Sequence, residues 1–163
     1  MSVKLDLKPL KLLQERLTEL EAGRVHVGLL AETSGRVPKR KNTIDNNPGL
    51  GFVHEFGLSY TILKGRITNS IPERSFIRMP LMLHLGKLLE GKDWIATLMK
   101  GGTKRVLGFL GLLGEDTIQE AFATGGYGQW PALAPRTVSR KKSARILIET
   151  AQMRKAITSK VVT

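Results

Sequence analysis

The text His54-Glu55-Phe56-Gly57-Leu58 opens like the HExxH helix of a zinc protease, where two histidines one turn apart hold the metal and the glutamate is the general base. Leu58 stands where the second histidine is required, so the zinc reading fails. Gly86, Gly91 and Lys92 reproduce most of the spacing of a phosphate-binding loop, whose amides cradle a phosphate and whose Ser or Thr holds magnesium. Asp93 replaces that hydroxyl residue, and the glycines fall inside and at the end of a helical pattern. The glycines of GGYGQW, residues 125–130, follow a helix instead of a strand, unlike a dinucleotide fingerprint. Glu115, Asp116 and Glu120 form the one close acidic group, and on an amphipathic helix they read as the wet face. A two-metal nuclease needs carboxylates converging from separate elements, and no such set is present. His26 and His84 stand alone in strand and helix patterns. The chain has no cysteine, which removes disulfides, thiolate metal sites and cysteine nucleophiles together. The expectation is a non-enzyme without catalytic, cofactor-binding or metal-binding residues.

The elements that would carry these residues can be read from periodicity. Leu10, Leu13, Leu17 and Leu20 recur at helical spacing behind Pro9, and Gly23 is placed to stop that helix. Val25, Val27 and Leu29 then alternate with His26 and Gly28 as in a half-buried strand. Residues 32–51 (ETSGRVPKRKNTIDNNPGLG) have the composition of a long loop, one that could order as an arm against a neighbour or nucleic acid. Residues 60–71 predict a hairpin turning near Lys64 and Gly65, closed by Pro72. A helix is expected to begin near Pro80 and to end at Gly91. Val106, Phe109, Leu110, Leu113, Ile118, Ala121 and Phe122 mark the main core helix over 103–122, stopping at Gly125. Gly108, Gly111 and Gly114 each weaken it by about 1 kcal/mol relative to alanine, which points to close packing on another helix or to a kink. Beyond the turn-rich crossing come two short helical pieces and a last strand over 157–162. Trp130, in that crossing, is either a core plug or an interface anchor.

A chain of 163 residues with 41% hydrophobic and 6% aromatic side chains fits one folded domain over 1–163. Two segments hold most of the net charge of +12: residues 25–41 carry four basic side chains against one acid, and residues 136–160 carry eight against one. The first contributes Arg36, Lys39, Arg40 and Lys41. The second includes Arg136, Arg140, Lys141, Lys142 and Arg145, within a basic C-terminal segment spanning 136–163. Clustered cations favour a polyanionic partner, either nucleic acid or an acidic protein face. No apolar run is long enough to span a membrane, and residues 1–13 lack the apolar region of a signal peptide, so the expected place of synthesis is the host cytoplasm, with no membrane partner.

Three segments together resemble the virion morphogenesis and tail-completion family of tailed phages, which includes head-tail joining proteins. GFVHEFG, residues 51–57, is similar to an aromatic-x-HEFG text. IPERSFIR, residues 71–78, is similar to IPAR followed by Pro-Phe. WPALAPRTVSRKKSARILIETAQMRKAI, residues 130–157, is similar to WxxLAPxT, then basic residues, then LIxTGxL and an Arg-containing helix. The departures are Glu73 and Ser75 where Ala and Pro are usual, Ala151 where Gly is usual, and Met153 in place of Leu. The resemblance implies a small α+β fold: a small mixed sheet packed with an N-terminal helix and one or two long core helices. It implies a structural protein of the virion neck or tail, assembled as a homo-oligomeric ring around the DNA channel, with the portal or connector and tail terminator or tube proteins as partners. His54, Glu55, Phe56, Gly57, Pro72, Phe76, Trp130, Pro131, Leu133, Pro135 and Thr150 would be its scaffold. The nine basic residues named above would face the channel or a partner and meet packaged DNA without reading its sequence. The alternative is a small basic nucleic-acid-binding protein that is not part of a particle; its sequence pI is 10.3.

Overall fold

The computed structural model describes residues 6–33, 35, 44, 46–62, 67–141, 145–148 and 151–163. Helix α1 (Lys8–Ala22) opens with Pro9 in its first turn and stops at Gly23, whose N–H reaches back to the Glu19 and Leu20 carbonyls. Strand β1 (Arg24–Leu29) follows directly. After a 3-10 turn at Ala31–Thr33 the chain reaches α2 (Asn47–Phe56), then β2 (Leu58–Ile62) and β3 (Ile67–Ile71). Helices α3 (Arg78–Leu89) and α4 (Trp94–Thr124) come next, then two single turns, α5 (Pro135–Val138) and α6 (Gln152–Lys155), and finally β4 (Ile157–Val162). The fold is α+β.

The strands form two separate antiparallel ladders instead of one mixed sheet. In the first, β1 pairs with β4, Arg24 opposite Val162 and Leu29 opposite Ile157; in the second, β2 pairs with β3, Leu58 opposite Ile71. Their surroundings account for the separation. The β1–β4 ladder is laid on α4, whereas the β2–β3 hairpin packs chiefly on itself, with Leu58, Ser59, Tyr60 and Thr61 exposed.

Helix α4 begins at Trp94, well before the expected start at Thr103. The Asp93 carboxylate caps it, accepting from the Ala96 N–H at 2.8 Å. Gly102 then takes φ 73° and ψ 176°, which an L side chain resists, so the helix bends there and a second helical stretch starts at Thr103. It ends at Gly125, in the left-handed conformation with φ 67°. Gly111 and Gly114 serve a close approach, but to the ladder and not to another helix: a Cβ on Gly111 would lie 2.6 Å from Ser159 Oγ, and one on Gly114 would lie 3.0 Å from Val27 Cγ2. This rotates the buried face. Leu107, Gly111, Gly114, Ile118 and Phe122 point inward, and Phe109, expected in the core, is 40% exposed.

Phe76, Ile118, Phe122, Met153 and Ile157 make the core cluster, with Val27, Leu29, Leu50, Leu81, Trp130 and Leu147 packed around it. The leucine stripe of α1 does not join it. No residue of α1 is buried, the helix packs chiefly on α4, and Leu10 and Leu17 remain 62% and 46% exposed.

The expected loop over 32–51 is shorter than its composition suggests. Asn47 to Gly51 already belong to α2, because Asn46 Oδ1 accepts from the Gly49 N–H at 2.6 Å and Pro48 fits the first turn. A bridge between Gly35 and Asn46, with Asn47 Nδ2 donating to the Gly35 carbonyl at 3.2 Å, closes the base of the span. The hairpin tip expected at Lys64 and Gly65 lies outside the described residues.

Candidate functional site

The three segments that carry the resemblance meet in one place. Glu55, on the last turn of α2, is buried and aims its carboxylate at the start of α3. Oε2 accepts from the Phe76 N–H at 2.8 Å and the Ile77 N–H at 3.0 Å, and Oε1 accepts from the Arg78 N–H at 2.9 Å and the Ser75 hydroxyl at 2.5 Å. A helix leaves its first amides without intrahelical acceptors, and here a side chain from another helix supplies them. The cap explains why α3 starts at Arg78, two residues before Pro80. Ser75 Oγ also accepts from the Met79 N–H at 3.0 Å, so this departure from the family text is part of the cap.

Arg74, next to it, is buried at 5% exposure and ties the second segment to the third. Its Nε and Nη2 donate to the Pro131 carbonyl at 3.1 and 3.0 Å, and Nη2 also donates to the Ala132 carbonyl at 3.1 Å. Burial pushes its pKa down from the usual arginine value, a direction set by loss of water around the guanidinium. The Arg74 N–H donates to the His54 carbonyl at 2.8 Å, which returns the link to the first segment. Trp130 completes the circuit: Nε1 donates to the Ser75 carbonyl at 3.0 Å, and the indole stands edge-on to Phe122 at 5.9 Å. Gly126 lies beneath it, where a Cβ would come within 2.2 Å of the ring. Tyr127, whose hydroxyl donates to the Thr117 carbonyl at 3.1 Å, has its pKa pushed up by burial first and by Glu120 second, and its ring stacks on His84 at 3.7 Å.

The residues singled out from the sequence fall into several groups. Phe76 is fully buried, Leu133 is half-buried, and Pro72, Pro131 and Pro135 are exposed. Gly57 caps α2 with φ 73°. Phe56, expected as scaffold, is 53% exposed, 4.9 Å from the Phe52 ring and 5.8 Å from the Arg78 guanidinium carbon. Arg136, Arg140 and Arg145 are exposed, and Lys141 Nζ donates to the Arg145 carbonyl at 2.7 Å. From Pro131 to Arg140 every residue but Leu133 is exposed, so Arg136 and Arg140 ride on an outward excursion held at its base by Arg74. Arg36, Lys39, Arg40, Lys41, Lys142 and Thr150 lie outside the described residues. No known protein family, curated protein or solved structure matches this chain.

Among the described residues no group of three or more His, Asp or Glu side chains could hold a metal ion, and no helix is long and apolar enough to cross a membrane. The arrangement fastens three chain segments together. Sequence reasoning quoted Arg74 and Ser75 within IPERSFIR but gave neither a structural role. The polar residues between Pro72 and the core residue Phe76 were the signal that something there needed partners.

One position bears on the resemblance in another way. Ala151 caps α6 with φ 58° and ψ 8°, a left-handed conformation that costs an L residue about 1–2 kcal/mol. It stands where the family text has Gly. Ala151→Gly is expected to raise stability by about 1 kcal/mol, since the relieved strain outweighs the added freedom of the unfolded chain. Urea denaturation would register this as a higher midpoint at unchanged slope, and a lower midpoint would remove the strain argument.

Proposed function

We propose that this protein is a non-enzymatic structural component of a tailed-phage particle, acting at the head-tail neck or in tail completion and assembling as a ring around the DNA channel. The observation that carries the reading is the joining of the three family-like segments through Glu55, Arg74 and Trp130. A set of buried bonds linking all three segments gives each of them a structural role. Ala151 supports it as well, because the backbone there has the conformation that the family's Gly suits.

Two surface features fit such a place. Phe52, Phe56, Leu58 and Tyr60, on α2 and the strand after it, are each more than 40% exposed, as are Leu10 and Leu17 on α1. Apolar side chains in that number on a small domain suit burial against neighbouring subunits. The exposed Arg136 and Arg140 suit contact with packaged DNA or an acidic partner face. On this reading the partners are the portal or connector and the tail terminator or tube, at the neck or tail of the virion.

Light scattering at low and moderate salt, on the protein alone and mixed with purified connector or tail tubes, tests the reading. A ring of defined mass is expected, either free or formed on those partners. A monomer that ignores both and binds DNA with steep salt dependence would instead favour a basic regulator outside the particle, the reading that the net charge of +12 supports.

A further inference from the structure

The bend at Gly102 creates a second feature that the neck reading does not use. Lys92 to Lys100 on one side and Arg105 to Phe109 on the other border a cleft of about 450 Å³, with Trp94 and Phe109 in its lining. Trp94 is fixed there by its Nε1 donating to the Leu89 carbonyl at 3.0 Å, and it meets Phe109 edge to face at 5.8 Å. Lys92 Nζ sits 5.3 Å from the Phe109 centroid, and Lys100 and Arg105 stand exposed at the rim. Among the described residues none of these three cations has an ion-pair partner. Asp93, the one acid in the lining, is committed to capping α4.

We propose that this cleft docks an acidic segment of a partner protein bearing one large apolar side chain. Charge complementarity selects the segment: three cations without an ion-pair partner among the described residues surround an apolar floor, and a carboxylate on either side of the inserted side chain would meet Lys92, Lys100 or Arg105. The volume of about 450 Å³ accommodates a single large side chain with its flanking backbone, and the apolar floor of Trp94 and Phe109 offers nothing to a phosphate. Stacked bases fit poorly too, because the two rings meet at 67° and leave no parallel-faced slot. The cleft is preformed. From α1, Arg16 Nη1 donates to the Leu98 and Met99 carbonyls, and the Thr103 hydroxyl lies 3.1 Å from the Arg16 carbonyl and 2.9 Å from Glu19 Oε2, so both sides of the bend are tied to one helix.

The proposal stands on the cleft alone and survives failure of the neck reading. Its test uses the full chain labelled with 15N, watching the indole N–H signals of Trp94 and Trp130. The probe is the hexapeptide acetyl-Asp-Glu-Ala-Phe-Glu-Asp-amide, with a counterpart in which the four acids are lysines and a thymidine hexanucleotide as comparisons. The acidic peptide is expected to move the Trp94 signal saturably and leave Trp130 in place, and the lysine peptide to move neither. Affinity should fall about tenfold in Lys100→Glu/Arg105→Glu and again in Phe109→Ala, all at exposed positions, with circular dichroism unchanged. An unmoved Trp94 signal at millimolar peptide, equal affinity in the charge-reversed variant, or preferential uptake of the oligonucleotide would each overturn it.

Discussion

Replacing Glu55 by alanine is expected to lower the unfolding free energy by about 3–5 kcal/mol, the cost of removing one partner from a buried charged hydrogen-bond set. The substitution strands three amide donors at the start of α3 and the Ser75 hydroxyl. Phe76 and Ser75 are buried, so water cannot replace the lost acceptor at either residue. Ile77 and Arg78 are less enclosed, and their amides recover part of the loss, which keeps the total below four full penalties. For a domain of ordinary stability this is a large fraction of the whole. Glu55→Gln tests the cause: it keeps the shape but turns an NH2 toward donors, and its loss should be intermediate. Urea titrations followed by circular dichroism measure both variants. A Glu55→Ala midpoint near that of the parent would mean that the cap contributes little.

Trp130→Ala should cost about 3 kcal/mol, near the low end for a large aromatic because the indole is half-buried. Trp130→Phe isolates the polar part: packing on Phe122 persists, the bond to the Ser75 carbonyl is lost, and the cost drops to about 1 kcal/mol. Since Glu55 and Trp130 both act on Ser75, their losses should not add. A double-mutant cycle is expected to return a coupling of about 0.5–3 kcal/mol, and strict additivity would show that the circuit is not a mechanical unit.

Local chemistry made part of this fold legible. Pro9 and Gly23 bound α1, Gly125 ends α4, and the alternation of β1 and β4 was plain, because each signal resides in one residue or a period of two. The start of α2 was also written, in Asn46 and Pro48, but the polar text before it concealed the cap. What could not be read depended on distant partners. The pairing of β1 with β4 and the separation of the hairpin are choices among strands, and the leucine stripe of α1 reports amphipathicity without saying what covers it. Gly111 and Gly114 signalled close approach, whereas a Cβ on Gly108 would meet nothing within 4 Å, and a glycine does not say whether a helix or a ladder approaches. At the site, HEFG, SF and WP were visible as text. That Glu55 would cap another helix, or that Arg74 would reach residues far along the chain, depends on the tertiary arrangement alone.

The pairing of Leu29 with Ile157 has a consequence for synthesis. Everything from residue 30 to 156 lies inside the loop that this ladder closes, so β1 emerges from the ribosome long before its partner exists. At ordinary elongation rates the wait is about 10 s, ample time for Val25, Val27 and Leu29 to meet other nascent chains. The alternating Arg24, His26 and Gly28 interrupt that strand with charge, polarity and a gap, which makes it a poor template for strangers while it waits.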